Sequence, residues 1–208
     1  MEYLDTYDEN KKFLGKQTRD YVHEQGIWHN TVHCWLYDRN GNVYFQIRED
    51  TKTLYTTASG HVLAGETIKE AFGREIKEEI GINIDHNKTN IVDIVFYKMD
   101  KVKKDGSVYK DRAFANVFVY EFNEDINSFD FDPKELDGLV IINAIETLKL
   151  LKKEIEKIEG EVIINKNGSN IIKPKTIYLE DFLVNEHETA IEKYGNILNM
   201  VIKLTEQK

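Results

Sequence analysis

The chain is poor in the features that reveal a covalent framework or a membrane anchor. Among 208 residues there is one cysteine, Cys34, so no disulfide can form within the chain, which suits a reducing cytoplasm. Cys34 falls in an expected strand and reads as a small buried apolar residue, not a nucleophile. No apolar run approaches the roughly 20 residues that a membrane-spanning helix needs. The start, Met1 to Asn10, is acidic and polar, unlike a secretory signal. Positive charge is scarce too: 28 Lys and Arg stand against 37 Asp and Glu, a net charge of −9. A nucleic-acid backbone is therefore not an expected main partner, because non-specific affinity for it comes from clustered Lys and Arg. The same charge repels phosphate-bearing small molecules unless cations bridge to them. There is no internal repeat and no low-complexity tract.

Against this background one motif stands out. Gly60-His-Val-Leu-Ala-Gly-Glu66 is followed, after seven residues, by Arg74-Glu75-Ile76-Lys77-Glu78-Glu79-Ile80-Gly81-Ile82. Thr67 with Glu70 reads as a capping box that opens a helix. Ile68, Phe72, Ile76 and Ile80 recur at i, i+4 and predict one buried stripe. Gly81 can turn left-handed and end the helix, which is expected over residues 67–80. Glu75 and Glu79 then stand one above the other, with Glu78 flanking them at the border of the stripe. Like charges so close repel, and a hard divalent cation such as Mg²⁺ or Mn²⁺ offsets that repulsion. An isolated E-x-x-E-E would read as solvated surface; the fixed Gly60, Glu66, Arg74 and Gly81 argue for a functional site.

The rest of the chain reads as strands around that helix. Strands are expected at residues 3–7, 31–37, 43–48, 56–63, 91–98 and 113–122. Asp38-Arg39-Asn40-Gly41 is a hairpin turn, and residues 100–110 form a polar loop. A second helix on the opposite sheet face would complete an α/β/α sandwich on a mixed sheet, over residues 1–145. Pro133 and Glu135 to Leu139 mark a change. Ile142, Ile145, Leu148, Leu151, Ile155 and Ile158 predict a long amphipathic helix ending near Gly160. A hairpin around Lys166-Asn167-Gly168-Ser169 and helical segments at 179–183 and 190–204 complete a C-terminal extension, residues 146–208. That extension is expected to pack on the core or on a second subunit of a homodimer, or to wall the substrate pocket. His23, His29, His33 and His61 precede the motif helix, and His23, His29 and His61 are candidates for a second, nitrogen-rich metal site.

The motif, G-x5-E-x7-R-E-U-x-E-E-x-G-U with U a bulky aliphatic, resembles the Nudix box, and all nine specified positions match. A chance match in a chain of this length is roughly one in a million or rarer. A softer resemblance runs through Asp5, Asp8-Glu9, Arg19, His23, Gly26-Ile-Trp-His29, His33-Cys-Trp35, Gln46-Ile-Arg48 and Ser59-Gly60-His61. It covers about residues 1–145 and looks like the Nudix branch related to type I isopentenyl-diphosphate isomerase. In that isomerase a cysteine precedes the Gly-His pair and moves a proton at the allylic carbon; here the position is Ser59, too weak an acid or base for that step. The isomerase box is also degenerate, whereas this one is intact. The Pro-Gly-x-Trp stretch common before the box in that branch is replaced by a shorter Thr51 to Thr57.

The resemblance implies Mg²⁺- or Mn²⁺-dependent hydrolysis of a nucleoside diphosphate derivative or a similar small-molecule diphosphate. Glu75 and Glu79 would hold the principal ion, with Glu78 assisting and the Gly60 carbonyl completing the shell. Glu79 or Glu78 is the first choice of base, ahead of Glu121 and Asp105. Arg74 would orient the carboxylates, Glu66 would fix the loop through it, and Arg48, Lys52 and His61 are candidate substrate contacts.

Overall fold

The computed structural model describes residues 1–103, 105–131, 136–166, 168–184 and 188–207. Pro133, Glu135 and Asn167, which mark breaks in the sequence pattern, lie outside the described residues. Strands β1 (Tyr3–Tyr7) and β2 (Phe13–Thr18) lead into helix α1 (Arg19–Gln25). Strands β3 (Trp28–Tyr37), β4 (Asn42–Arg48), β5 (Leu54–Tyr55) and β6 (Ala58–His61) precede helix α2 (Ile68–Ile80). Strands β7 (Asn90–Val102) and β8 (Val108–Glu121) pair with each other. Then come β9 (Leu136–Asn143), helix α3 (Ala144–Leu151), β10 (Lys157–Lys166), β11 (Ser169–Tyr178) and helix α4 (Ala190–Glu206). The fold is thus mixed α and β, with four α-helices among the described residues, none long and apolar enough to cross a membrane.

The chain forms two compact units, and β3, β8 and α2 each run from one into the other. The first comprises Met1–Cys34, Ser59–Glu75 and Asp85–Phe118; the second comprises Trp35–Ala58, Ile76–Ile84 and Val119–Lys208. In the first unit β1 lies antiparallel to β2 and to the start of β3, with Thr6 opposite His29. Phe72 of α2 stacks on Phe118 of β8 at 4.2 Å between ring centroids, and both are fully buried. The start of α2 is capped as the sequence predicts: Glu70 Oε2 accepts from Thr67 N–H, and Thr67 Oγ1 accepts from Glu70 N–H.

The second unit is built on the antiparallel order β11-β10-β9-β4, with β5 pairing β4. Its core is aromatic: Trp35, Phe45, Phe182 and Tyr194 meet at centroid distances of 5.3 to 5.9 Å. The buried Tyr194 hydroxyl of α4 donates to Leu183 O at 2.6 Å, so burying the ring leaves its polar end satisfied.

The long helix expected over residues 142–158 does not form. Ile142 belongs to β9, the helix is the eight-residue α3, and Ile158 belongs to β10. Asn143 Oδ1 accepts from Ile145 and Glu146 N–H and starts α3 late, and Lys153 at φ 62 ends the turn that follows. Apolar residues on two strands and a two-turn helix together mimic one helical period. Gly160 is a strand residue, not a helix end: a Cβ there would stand 2.7 Å from Ile141 O on the neighbouring strand. Residues 179–181 form a short 3-10 turn, and the loop between β7 and β8 is shorter than expected because both strands extend into it.

Gly160→Ala is therefore expected to destabilise the protein by about 1–3 kcal/mol through overpacking. An unchanged urea midpoint would refute this close approach.

Candidate functional site

Helix α2 carries the motif carboxylates through both units. In the first unit, Arg74 is the hub. Its Nε and Nη2 donate to the two oxygens of Glu66 at 2.9 Å each, Nη1 donates to Glu75 Oε1 at 2.8 Å, and Nη2 donates to His61 O at 2.8 Å. Glu66 Oε2 in turn accepts from Leu63 N–H at 3.0 Å, which ties the loop before the helix to the guanidinium. Hydrogen bonding to Glu66, chiefly, raises the Arg74 pKa and keeps the fork charged. Gly60 lies so close that a Cβ on it would fall inside the Glu75 carboxylate. Glycine at this position is thus what lets the β6 backbone and Glu75 meet.

In the second unit, Glu79 is buried, and its Oε2 accepts from the buried Gln46 Nε2 at 3.3 Å. Glu78 is exposed, as its place one residue round the helix requires. Gly81, at φ 78, ends α2 and presses on Asp130, whose backbone N would lie 2.7 Å from an added Cβ. Two demands meet there, a left-handed backbone and a lack of space.

The candidate phosphate contacts differ. Arg48 pairs with Asp50 through Nε (2.8 Å) and Nη2 (3.1 Å), and its guanidinium lies 5.7 Å from the Tyr55 ring centroid. Lys52 is an exposed turn residue at 2.8 Å from Asp137. The two outlying base candidates are also placed. Glu121 ends β8 and accepts from Asn123 Nδ2, while Asp105 is exposed in the β7–β8 turn and accepts from Ser107 N–H and Oγ–H.

The structure brings His23, His29 and His61 together, all in the first unit, with candidate ligand atoms within 4.8 Å of one another. His23 Nδ1 meets Arg19 O at 2.8 Å, and His29 Nδ1 meets Ile27 O at 3.1 Å. A carbonyl can only accept, so both Nδ1 atoms carry the proton and both Nε2 atoms offer lone pairs. His61 Nε2 lies 3.3 Å from His23 Nε2 and donates to it. Asp111 of β8 completes the group, with Oδ1 3.6 Å from His29 Nε2 and 4.0 Å from His23 Nε2. Buried His29 Nε2 and Asp111 Oδ1 have no hydrogen-bond partner among the described residues. Such orphaned atoms are costly, and a cation between them would satisfy both. Three imidazoles and a carboxylate form a donor set suited to Zn²⁺, Mn²⁺ or Fe²⁺. Sequence reasoning missed Asp111, which lies 50 residues beyond His61 with no motif around it, and it missed Gln46 as the partner of Glu79.

A family model described as NUDIX domain matches residues 27–163. An uncharacterized Nudix hydrolase of Clostridium acetobutylicum is 31% identical over 89% of this chain and 92% of its own length. The isopentenyl-diphosphate Delta-isomerase of Halobacterium salinarum is 27% identical over 57% of this chain and 55% of its own. A crystal structure from Deinococcus radiodurans matches with a TM-score of 0.52 at 21% identity, over 73% of this chain and 89% of that one, a likeness of fold.

The buried cluster also sets a pH dependence. Desolvation lowers His29 to about 4, His61 to about 2, and His23 below its usual value. Unfolded histidine titrates near 6.5, so below that pH the unfolded chain takes up protons that the native imidazoles refuse, and stability falls with pH. Asp111, raised to about 6 by burial, acts oppositely: its protonation in the native state favours folding between about 6 and 3.8. Three imidazoles outweigh one carboxyl. The Tm of chelator-treated protein is expected to fall from pH 7 to pH 5, and less so in His29→Asn. A Tm that rises on acidification would contradict the neutral cluster.

Proposed function

The chain belongs to the Nudix family, and from that premise we propose that it hydrolyses the diphosphate bond of a nucleoside diphosphate derivative or a related organic diphosphate. One observation carries the reading. Glu75 is pressed against Gly60 and held by Arg74, while Glu79, one turn on, is buried instead of solvated. A face of ordinary surface glutamates has neither property. Glu75 and Glu79 are assigned as ligands for Mg²⁺ or Mn²⁺, with the Gly60 carbonyl as a further oxygen donor and Glu78 assisting. When bound, the ion supplies Lewis acidity at phosphorus and a lowered pKa for water.

The chain's own residues do the rest. Gln46 orients Glu79, and Arg74 orients Glu75. All three Arg74 nitrogens are engaged within the protein, so it is a positioning residue. Glu78 or Glu79 accepts the proton of the attacking water. Double-bond isomerisation of a prenyl diphosphate ranks second, supported by the partial likeness to the Halobacterium salinarum isomerase. Ser59 counts against it for the reason of acidity given above, and double-bond migration without phosphate release would reverse the ranking.

The histidine cluster supports a second cation of different chemistry, held by His23, His29, His61 and Asp111. Its lone pairs suit a transition ion better than Mg²⁺, which prefers all-oxygen shells.

Two measurements test these assignments. Across a panel of organic diphosphates with Mg²⁺ or Mn²⁺, the wild type is expected to release phosphate or nucleotide, and Glu79→Gln to lower kcat by roughly 100-fold or more with the fold intact. Undiminished turnover in that variant would sink the box assignment. In metal-stripped protein, Zn²⁺ titration is expected to show one tight equivalent that His29→Ala and Asp111→Asn lose and Glu79→Gln retains. Equal Zn²⁺ binding in all three variants would remove the second site.

A further inference from the structure

We propose that Thr31 positions His61 in the ion-loaded histidine cluster, its hydroxyl accepting the ring Nδ1–H while Nε2 holds the ion. The proposal rests on the second-cation reading and concerns residues of the first unit alone. Three buried side-chain atoms lack a hydrogen-bond partner among the described residues: His29 Nε2, Asp111 Oδ1 and Thr31 Oγ1. A cation accounts for the first two. The Thr31 hydroxyl, on a residue only 8% exposed, is left over.

Strand geometry puts that hydroxyl beside the rings. Thr31 is two residues on from His29 in β3, so both side chains leave the same face. Val62 N–H donates to Asn30 O at 3.0 Å, and Leu36 N–H donates to Thr57 Oγ1 at 2.9 Å. Numbers that fall on one side as they rise on the other mean that β6 runs antiparallel to β3, with which it pairs. The Val62–Asn30 bond then sets His61 directly opposite Thr31. The stacked His29 and His61 rings, 5.2 Å apart at their centroids, place the His61 side chain on this same face. Opposed residues in such a pair have Cβ atoms about 5 Å apart, within reach of a hydrogen bond between a hydroxyl and an imidazole Nδ1.

The chemistry asks for such a partner. A histidine that binds metal through one ring nitrogen donates its other N–H to a fixed acceptor, which sets tautomer and ring orientation. His23 and His29 already do so, to Arg19 O and Ile27 O. His61 does not: its Nε2 is engaged with His23 Nε2, and its Nδ1 makes no hydrogen bond among the described residues. To bind an ion through Nε2, His61 has to carry its proton on Nδ1 instead. A main-chain carbonyl could serve only that second tautomer. A hydroxyl both donates and accepts, so Thr31 can serve Nδ1 before and after the switch. The hydroxyl is unpaired as it stands, so taking up Nδ1–H breaks no existing bond.

The test uses metal-stripped full-length protein, Zn²⁺ as the probe, and the variants Thr31→Val and Thr31→Ser. Valine keeps the shape and removes an unpartnered hydroxyl, so the metal-free Tm of Thr31→Val is expected to equal or exceed that of the wild type. Zn²⁺ affinity is expected to fall by about tenfold or more in Thr31→Val and to return to within about threefold of the wild type in Thr31→Ser. Long-range ¹H–¹⁵N spectra of the Zn²⁺-loaded wild type are expected to show His61 ligated through Nε2 and protonated at Nδ1. Thr31→Val binding Zn²⁺ as tightly as the wild type would mean that solvent serves Nδ1, and would overturn the proposal. So would Thr31→Ser binding no better than Thr31→Val, ligation of His61 through Nδ1, or a metal-free Tm of Thr31→Val well below that of the wild type. A wild type that takes up no Zn²⁺ would refute the second-cation reading itself and the proposal with it, whereas failure of the Thr31 comparison alone would leave that reading standing.

Discussion

Arg74 reaches from helix α2 to three acceptors, Glu66, Glu75 and the carbonyl of His61, and most features of the first unit's motif follow from that reach. A guanidinium is planar and presents its donors in a fixed fork, so three acceptors around it cannot drift independently. Glu66 is bound through both oxygens and also takes the Leu63 N–H, which sets the loop that leads into the helix. Glu75 is turned toward the β6 backbone, where the missing side chain of Gly60 makes room. Lysine, a point charge on a flexible stem, could not impose this geometry. The arginine thus converts a helix full of repelling carboxylates into one with a defined direction.

Two groups of unlike character adjoin at the neighbouring residues Gly60 and His61. His61 lends its carbonyl to Arg74 and its ring to the histidine cluster, and Gly60 beside it abuts Glu75. One set is oxygen-rich and partly open; the other is nitrogen-rich and buried. Ligand type and burial, more than raw affinity, separate hard ions from borderline ones. On the assignments proposed above, the two groups would therefore not compete for the same metal.

How far the residues could be read in advance depended on how local their causes were. Helix α2 was legible almost to its last residue, because its cap, apolar stripe and terminating glycine all lie within fifteen positions. The Asn40-Gly41 hairpin was legible for the same reason. The stretch from Ile142 to Ile158 was not, since its spacing fits a helix while strand pairing of β9 with β4 and β10 decides the outcome. The site divides in the same manner. Its motif carboxylates and the three histidines could be named from sequence, whereas Asp111 beside the histidines and Gln46 on Glu79 come into place through strand register, which no short pattern encodes.

The proton placement on His23 and His29 has a thermodynamic consequence. Both rings give their Nδ1 proton to main-chain carbonyls, and all three imidazoles are held neutral by burial. An ion entering this cluster near pH 7 would find two lone pairs already exposed and a carboxyl already mostly ionised. The remaining adjustment is a tautomer shift in His61, from Nε2 to Nδ1, which moves a proton within one ring and returns none to solvent. The heat of ion uptake would then be the same in buffers of different ionisation enthalpy, an unusual signature for a histidine-rich centre, whose loading commonly liberates protons.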